Sequence, residues 1–149
     1  MKSRFSLSLL ILILSLGLML AGCGGGGGGD KKPAAENKAP IKIGFFAPVT
    51  GPAAADGDSV TKAAKLAVEK INKTGGINGR QVELVAYDDN LKPQEAVSIA
   101  QKLTTKDGVV AAVSGSYSHT TREEAPIFEN AKIQMIADYA LHTDITKDG

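Results

Sequence analysis

The residues with most chemistry to offer run from Ser114 to Thr121, where Ser-Gly-Ser-Tyr-Ser-His-Thr-Thr carries a hydroxyl or an imidazole at every position but one. Val109 to Val113 before it is an apolar run that suits a strand covered on both faces. After it comes a helical pattern with Ala125, Phe128 and Ala131 on one face. A strand end, a hydroxyl-rich turn and a helix start together make an anion site, because unpaired N–H groups and the positive end of the helix dipole face one point. A small solute's carboxylate or a similar polar group suits that place. Spacing alone leaves a second use open, in which Ser118, Thr120 and Thr121 only cap the helix.

Other chemistries find little support in the residue types. Ser118 and His119 are adjacent, which turns their side chains apart, and Ser114-Gly-Ser-Tyr-Ser118 is not the Gly-x-Ser-x-Gly elbow of hydrolases. His119, His142, Asp138 and Asp144 have no metal-ligand spacing. Asp88-Asp89-Asn90 lacks the alternation and later glycine of a calcium loop. The glycines from Gly24 to Gly29 follow no strand and precede no Gly-Lys-Ser/Thr, so they are not a phosphate loop. One cysteine excludes an internal disulfide. Basic and acidic residues number 17 and 16, tryptophan is absent, and no basic stripe suggests nucleic acid. The expectation is therefore a binding protein, neither enzyme nor metalloprotein, with no cofactor.

Around this loop the chain alternates. Ile41 to Val49 reads as a first strand. Asp56, Asp58 and Ser59 then offer N-caps to a helix whose buried face is Val60, Ala64, Ala67 and Ile71, with Ala63 and Val68 beside them. Gly75 and Gly76 end it, and Asn78-Gly79 turns the chain into a second strand, Gln81 to Asp89. There Val82, Leu84 and Ala86 alternate with Glu83 and Tyr87, which suggests an edge strand. Pro93 opens a second helix with Ala96, Ile99, Ala100 and Leu103 inward. After the third strand and helix, Ile133 to Ala137 is a short fourth strand. Pro126 predicts a late start or a kink in the third helix.

This order implies an α/β fold with a doubly wound parallel sheet, whose ligands sit beyond the carboxyl ends of the strands at a switch point. With strand 1 between strands 2 and 3, the crevice is bounded by Thr50 to Asp58 and Gly115 to Thr121.

The N-terminus carries different information. Lys2 and Arg4 precede an apolar stretch from Phe5 to Leu20, the pattern of an export signal. Leu20-Ala-Gly-Cys23 resembles the lipobox of bacterial lipoproteins, which implies cleavage after residue 22 and a lipidated Cys23, anchored to a membrane of the cell envelope by its acyl chains. Residues 23–40 then read as a tether, reaching on the order of 20 Å as a Gly-rich coil, and residues 41–149 as the folded part.

Ile41-Lys-Ile-Gly-Phe-Phe-Ala-Pro-Val-Thr-Gly-Pro52, Ala63 to Asn72, Gly75-Gly-Ile-Asn-Gly-Arg80, Val82-Glu-Leu-Val85 with Asp88-Asp89, and Ala125-Pro-Ile-Phe-Glu129 resemble the amino-terminal lobe of bacterial leucine/isoleucine/valine-binding proteins. These are extracytoplasmic solute receptors of ABC transporters for branched-chain amino acids and amides. The resemblance implies a class I periplasmic-binding-protein fold of two lobes closing on a ligand, of which this chain holds an incomplete first lobe, as a fragment or truncated product. It also implies an ABC permease as partner. Carried over, the carboxylate-binding serine falls on Ser118, with His119 and Thr120 alongside. The backbone segment that meets the ligand's carboxylate and ammonium falls on Tyr139, Ala140 and Leu141. An aromatic over the ligand falls at about Asp56. Leu141 stands where many such receptors have threonine, and Asp56 where they have a ring, while Tyr139 restores an aromatic wall. A sensory receptor of the same fold, coupled to signalling, is the alternative.

Overall fold

The structure is a computed structural model that describes residues 39–147. The stretches expected to be the export signal, the lipidation site at Cys23 and most of the tether lie outside the described residues.

Strand β1 (Ile41–Ala47) lies between β2 (Val82–Asp88) and β3 (Ala111–Ser114), and β4 (Gln134–Ala137) follows in the order β2-β1-β3-β4. All three pairings are parallel, with Ala47 level with Asp88, Phe46 with Ser114, and Ser114 with Ala137. The carboxyl ends of the four strands therefore share one edge. The expected alternation and the central place of β1 are both found. Strand β3 starts two residues later than the apolar run, because Gly108 (φ 68°) is still reversing the chain. The Val110 N–H nevertheless already donates to Lys42 O at 3.0 Å.

Successive side chains of a strand face opposite ways, and β1 uses this to bury two phenylalanines on two faces. Phe46 packs with Ile99 and Ala100 of helix α2 (Pro93–Lys102), with Leu103 in the wider turn that continues it, and with Phe128 of helix α3 (Ser118–Asn130). The Phe46 and Phe128 rings stack with centroids 6.0 Å apart. Removing each such side chain from water contributes roughly 1.5–3 kcal/mol. On the other face a Cβ on Gly115 would lie 2.8 Å from Phe45 Cζ and 2.9 Å from Val60 Cγ2. Phe45 and helix α1 (Ala54–Lys73) thus close around Gly115, and the sheet has helices on both faces.

Three local expectations are corrected. Helix α1 is entered through a 3-10 turn, Gly51–Ala53, with Gly51 at φ 80° and Pro52 next to it, so no side chain caps it. Asp56 instead sits within the first turn, Asp58 pairs with Lys62 at 2.6 Å, and the Ser59 hydroxyl donates back to Ala55 O at 2.8 Å. Of its expected inner face, Val60, Ala64 and Val68 are half-buried while Ala63, Ala67 and Ile71 are exposed. Strand β2 is an edge strand, but Val85 and Tyr87, rather than Ala86, pack toward the core, because α2 covers their side. Tyr87 Oη donates to Asp107 Oδ2 at 3.0 Å and its ring lies 4.3 Å beneath Lys102 Nζ. Helix α3 starts at Ser118 and runs on through Pro126. The missing Pro126 N–H denies the Arg122 carbonyl its helical partner, and both residues are exposed to water that can solvate it.

Candidate functional site

At the carboxyl edge, Asp88 ends β2 and holds the loop that leaves β1. Its carboxylate accepts from Thr50 N–H at 3.3 Å, from the Thr50 hydroxyl, and from Asn90 N–H at 2.9 Å. Burial alone would raise its pKa, but these hydrogen bonds outweigh it and hold the carboxyl below the usual range. Gly57 then lets α1 press on the same loop, since a Cβ there would lie 2.2 Å from Pro48 O. Together these contacts fix where Asp56 stands.

Asp56 meets the loop after β3. Tyr117 Oη donates to Asp56 Oδ2 at 2.5 Å, across 61 residues of sequence. Tyr139, in the loop after β4, reaches the same oxygen at 3.5 Å, and the two tyrosine rings meet edge to face with centroids 5.0 Å apart. Hydrogen bonding to Asp56, and next to Tyr139, raises the Tyr117 pKa well above the usual phenol range, so it remains a donor. Beside this cluster, Leu141 N–H donates to Ser118 Oγ at 3.1 Å. The two loops expected to bound the crevice are thus joined directly, and the loop after β4 closes over both.

The loop's hydroxyls divide into two sets. Ser114 Oγ and Thr121 Oγ1 lie 2.7 Å apart, Ser116 Oγ and Thr120 Oγ1 2.8 Å apart, and Thr120 Oγ1 also donates to Tyr117 O at 2.8 Å. All four residues are fully buried. Thr120, expected beside Ser118 as a ligand group, therefore spends its hydroxyl on the loop's own shape. His119 is exposed, and its Nε2 lies 3.1 Å from Leu91 O. A carbonyl only accepts, so that nitrogen carries the proton. His119 thereby ties α3 to the turn after β2. Tyr117 is the N-cap residue of α3 and gives no side-chain cap, so helix capping does not account for Ser118. Ser118 is left at the rim, its oxygen accepting from Leu141 and its proton available to a solute.

Beneath the rim, Glu124 and Asp89 are both at 0% exposure. Among the described residues neither carboxylate oxygen of Glu124 has a partner, nor has Asp89 Oδ2, while Asp89 Oδ1 accepts from Leu91 N–H at 3.0 Å. Burial, and then the charge of Asp89, push the Glu124 carboxyl up to about 10, so it is neutral at physiological pH. Among the described residues no group of three or more His, Cys, Asp or Glu side chains is placed to hold a metal ion. A concavity of about 760 Å³ lies between α3 and β4, lined by Phe128, Ile133, Met135 and Ile145, and it contains none of Asp56, Tyr117, Ser118 or Tyr139. The rim site is an open surface at the sheet edge.

Sequence reasoning brought out Asp56, Ser118, Tyr139, Ala140 and Leu141 but overlooked Tyr117 and Glu124. Tyr117 carries its signal only in its place, as the one aromatic ring among the hydroxyls between Ser114 and Ser118. Nothing in the local pattern marks Glu124, which sits among the charged residues Arg122 and Glu123 on a helix that looks solvated there.

The family model described as periplasmic binding protein matches residues 40–148. The leucine-, isoleucine-, valine-, threonine- and alanine-binding protein of Pseudomonas aeruginosa is 42% identical over 109 residues, 73% of this chain and 29% of that protein. The Leu/Ile/Val-binding protein of Escherichia coli is 34% identical over the same share of this chain, again 29% of its own length. The crystal structure of the branched-chain amino acid transporter substrate binding protein LivJ from Streptococcus pneumoniae, in complex with isoleucine, superposes with a TM-score of 0.70 at 36% identity, covering 73% of this chain and 31% of that one. The chain thus spans about three-tenths of the length of the relatives it matches. It belongs to the periplasmic binding protein family, as an α/β lobe of the kind found in the leucine/isoleucine/valine-binding proteins.

Proposed function

We propose that this protein is the extracytoplasmic solute-binding component of an ABC transporter. It takes an amino acid of the branched-chain type, or an amide, between this lobe and a second one, delivers it to the permease, and does no chemistry on it. The observation that carries this reading is the Ser118 hydroxyl at the carboxyl edge, oriented by Leu141 N–H at 3.1 Å. A carboxylate arriving there takes the Ser118 proton in a hydrogen bond and gains from the positive end of α3. Leu141 touches Ser118 directly and Tyr117, Tyr139 and Asp56 form the adjoining cluster, with Ala140 on the same segment as Tyr139 and Leu141, while His119 and Thr120 hold the loop in shape. The names of the relatives support the solute class, and the sequence before residue 40 supports anchoring through a lipidated Cys23.

Isothermal titration of the intact protein against a panel of amino acids and amides tests the reading. Heat of binding from at least one compound is expected, and silence across the panel contradicts it. Radiolabelled palmitate incorporated into the wild type, and lost in Cys23→Ser, is the expected result for the anchor.

A further inference from the structure

Helices that connect parallel strands run back against them. Helices α1, α2 and α3 therefore end at the edge where the strands begin, opposite Ser118. Each of these ends carries exposed lysine. Lys70 and Lys73 lie in the last turn of α1, Lys106 in the turn that continues α2, and Lys132 just past α3. Lys73 pairs with Glu69 and Lys132 with Glu129, whereas among the described residues no ion pair holds Lys70 or Lys106. A helix dipole favours a cation at its C-terminal end, and the parallel topology collects three such ends into one electropositive edge. At the carboxyl edge the balance is reversed, with Asp56, Asp58, Asp88, Asp89 and Asp138 against Lys62, Lys92 and Arg122.

The chain enters at the basic edge. Ile41 N–H donates to Gln81 O at 2.8 Å, and Arg80 donates to Ala39 O at 2.9 Å and to Pro40 O at 3.3 Å, which fixes the point of entry. Residues 23–40 span no more than about 60 Å even fully extended, so an acyl anchor at Cys23 keeps this edge within that distance of a lipid surface. In the turn between α1 and β2, Ile77 is 43% exposed and adds an aliphatic side chain beside Arg80. Lysine stems can lie along such an interface while their ammonium groups meet headgroup phosphates.

We propose that the amino edge of the sheet is a membrane-docking surface, where Lys70, Lys106 and Lys132 meet anionic lipid headgroups and leave the Ser118 edge turned toward solutes. The contact is weak and screened by salt, so the lobe can leave the lipid to deliver its cargo. This inference rests on the anchoring reading above and adds an orientation to it.

The test uses the 149-residue chain with Cys23→Ser, which carries no acyl group, and vesicles made of equal parts phosphatidylcholine and phosphatidylglycerol. Adding Lys70→Gln, Lys106→Gln and Lys132→Gln is expected to weaken binding at least fivefold at low salt. Adding Lys62→Gln, Lys92→Gln and Arg122→Gln, an equal change in net charge at the other edge, is expected to change it less than twofold. Residues 1–22 are common to all three chains and cancel in the comparison. High salt should erase the difference, and thermal melting checks that each chain folds. Orientation is read without removing any lysine, from a fluorophore at Gln81→Cys or at Gln94→Cys and a headgroup quencher in the vesicles. Quenching is expected at position 81, on the basic edge, and not at position 94, at the start of α2. Equal losses in the two triple variants, equal quenching at the two positions, or no binding to the mixed vesicles overturns the inference. Palmitate labelling of the wild type decides the anchor separately, so labelled protein that fails the vesicle test keeps its anchor and loses the docking surface.

Discussion

Glu124 is the residue whose state is most at odds with its type. A carboxyl at 0% exposure with no partner for either oxygen among the described residues keeps its proton, and its pKa of about 10 follows from burial and from Asp89. The sign for stability follows from comparison with its ordinary value of 4.5 in the unfolded chain. The folded state holds the proton more tightly, so this contribution is fully present below about 4.5 and is lost as pH rises toward about 10. The slope is at most about 1.4 kcal/mol per pH unit. Glu124→Gln removes the titration and keeps the shape. Urea unfolding at pH 5 and pH 9 is expected to show the variant gaining on the wild type as pH rises, and parallel stabilities at the two pH values would count against a neutral Glu124. The sequence holds no hint of this acid. Its neighbours Arg122 and Glu123 are charged and exposed, and burial at one helical position is set by how α3 settles on α2 and the turn at Asp89, a tertiary outcome.

At the scale of elements, the chain announced its alternation clearly. Apolar periodicity located all four strands and three helices, the Gly75-Gly76 stop and Pro93 as a helix opener were legible, and the two loops at the switch point followed from the fold rule. What stayed hidden was the start of α1. Asp56, Asp58 and Ser59 are good capping types, yet Gly51 and Pro52 begin a 3-10 turn that feeds the helix two or more residues before any of them. Glycine 57 is the device that sets this helix against its loop. Gly57→Ala places a methyl 2.2 Å from Pro48 O, and α1 must move out. Overpacking of this kind is expected to cost roughly 1–3 kcal/mol, read as a fall in the urea midpoint, and to carry Asp56 away from Tyr117. A variant as stable as wild type would show that the approach of α1 to the loop is looser than described. The end of α1 is bound more simply, by Asn72, whose amide donates to Val82 O at 2.8 Å and whose oxygen accepts from Val82 N–H at 2.7 Å.

The molecule as a whole is unevenly covered. Helices α2 and α3 cover Phe46 and Ala112, α3 contributing Phe128, whereas Ile136, level with Val113 and Phe45 on the α1 side, is 55% exposed. Val110 is 59% exposed, and among the described residues β4 has a neighbour on one side only. An open strand edge beside exposed apolar side chains pairs readily with another copy. Concentration-dependent association of the 149-residue chain is therefore expected in sedimentation, reduced in Ile136→Lys. Equal association of the two chains would show that this face takes no part.

One group at the sheet edge carries the functional account, the Ser118 hydroxyl. A hydrogen bond to a charged group contributes about 1.5–3 kcal/mol, so Ser118→Ala should weaken binding of the preferred amino acid roughly 10- to 100-fold with little change in melting temperature. The decisive measurement is the ratio of the two dissociation constants, determined by calorimetry on the intact protein. A ratio in that range agrees with a carboxylate held at the start of α3, and a ratio near one contradicts it.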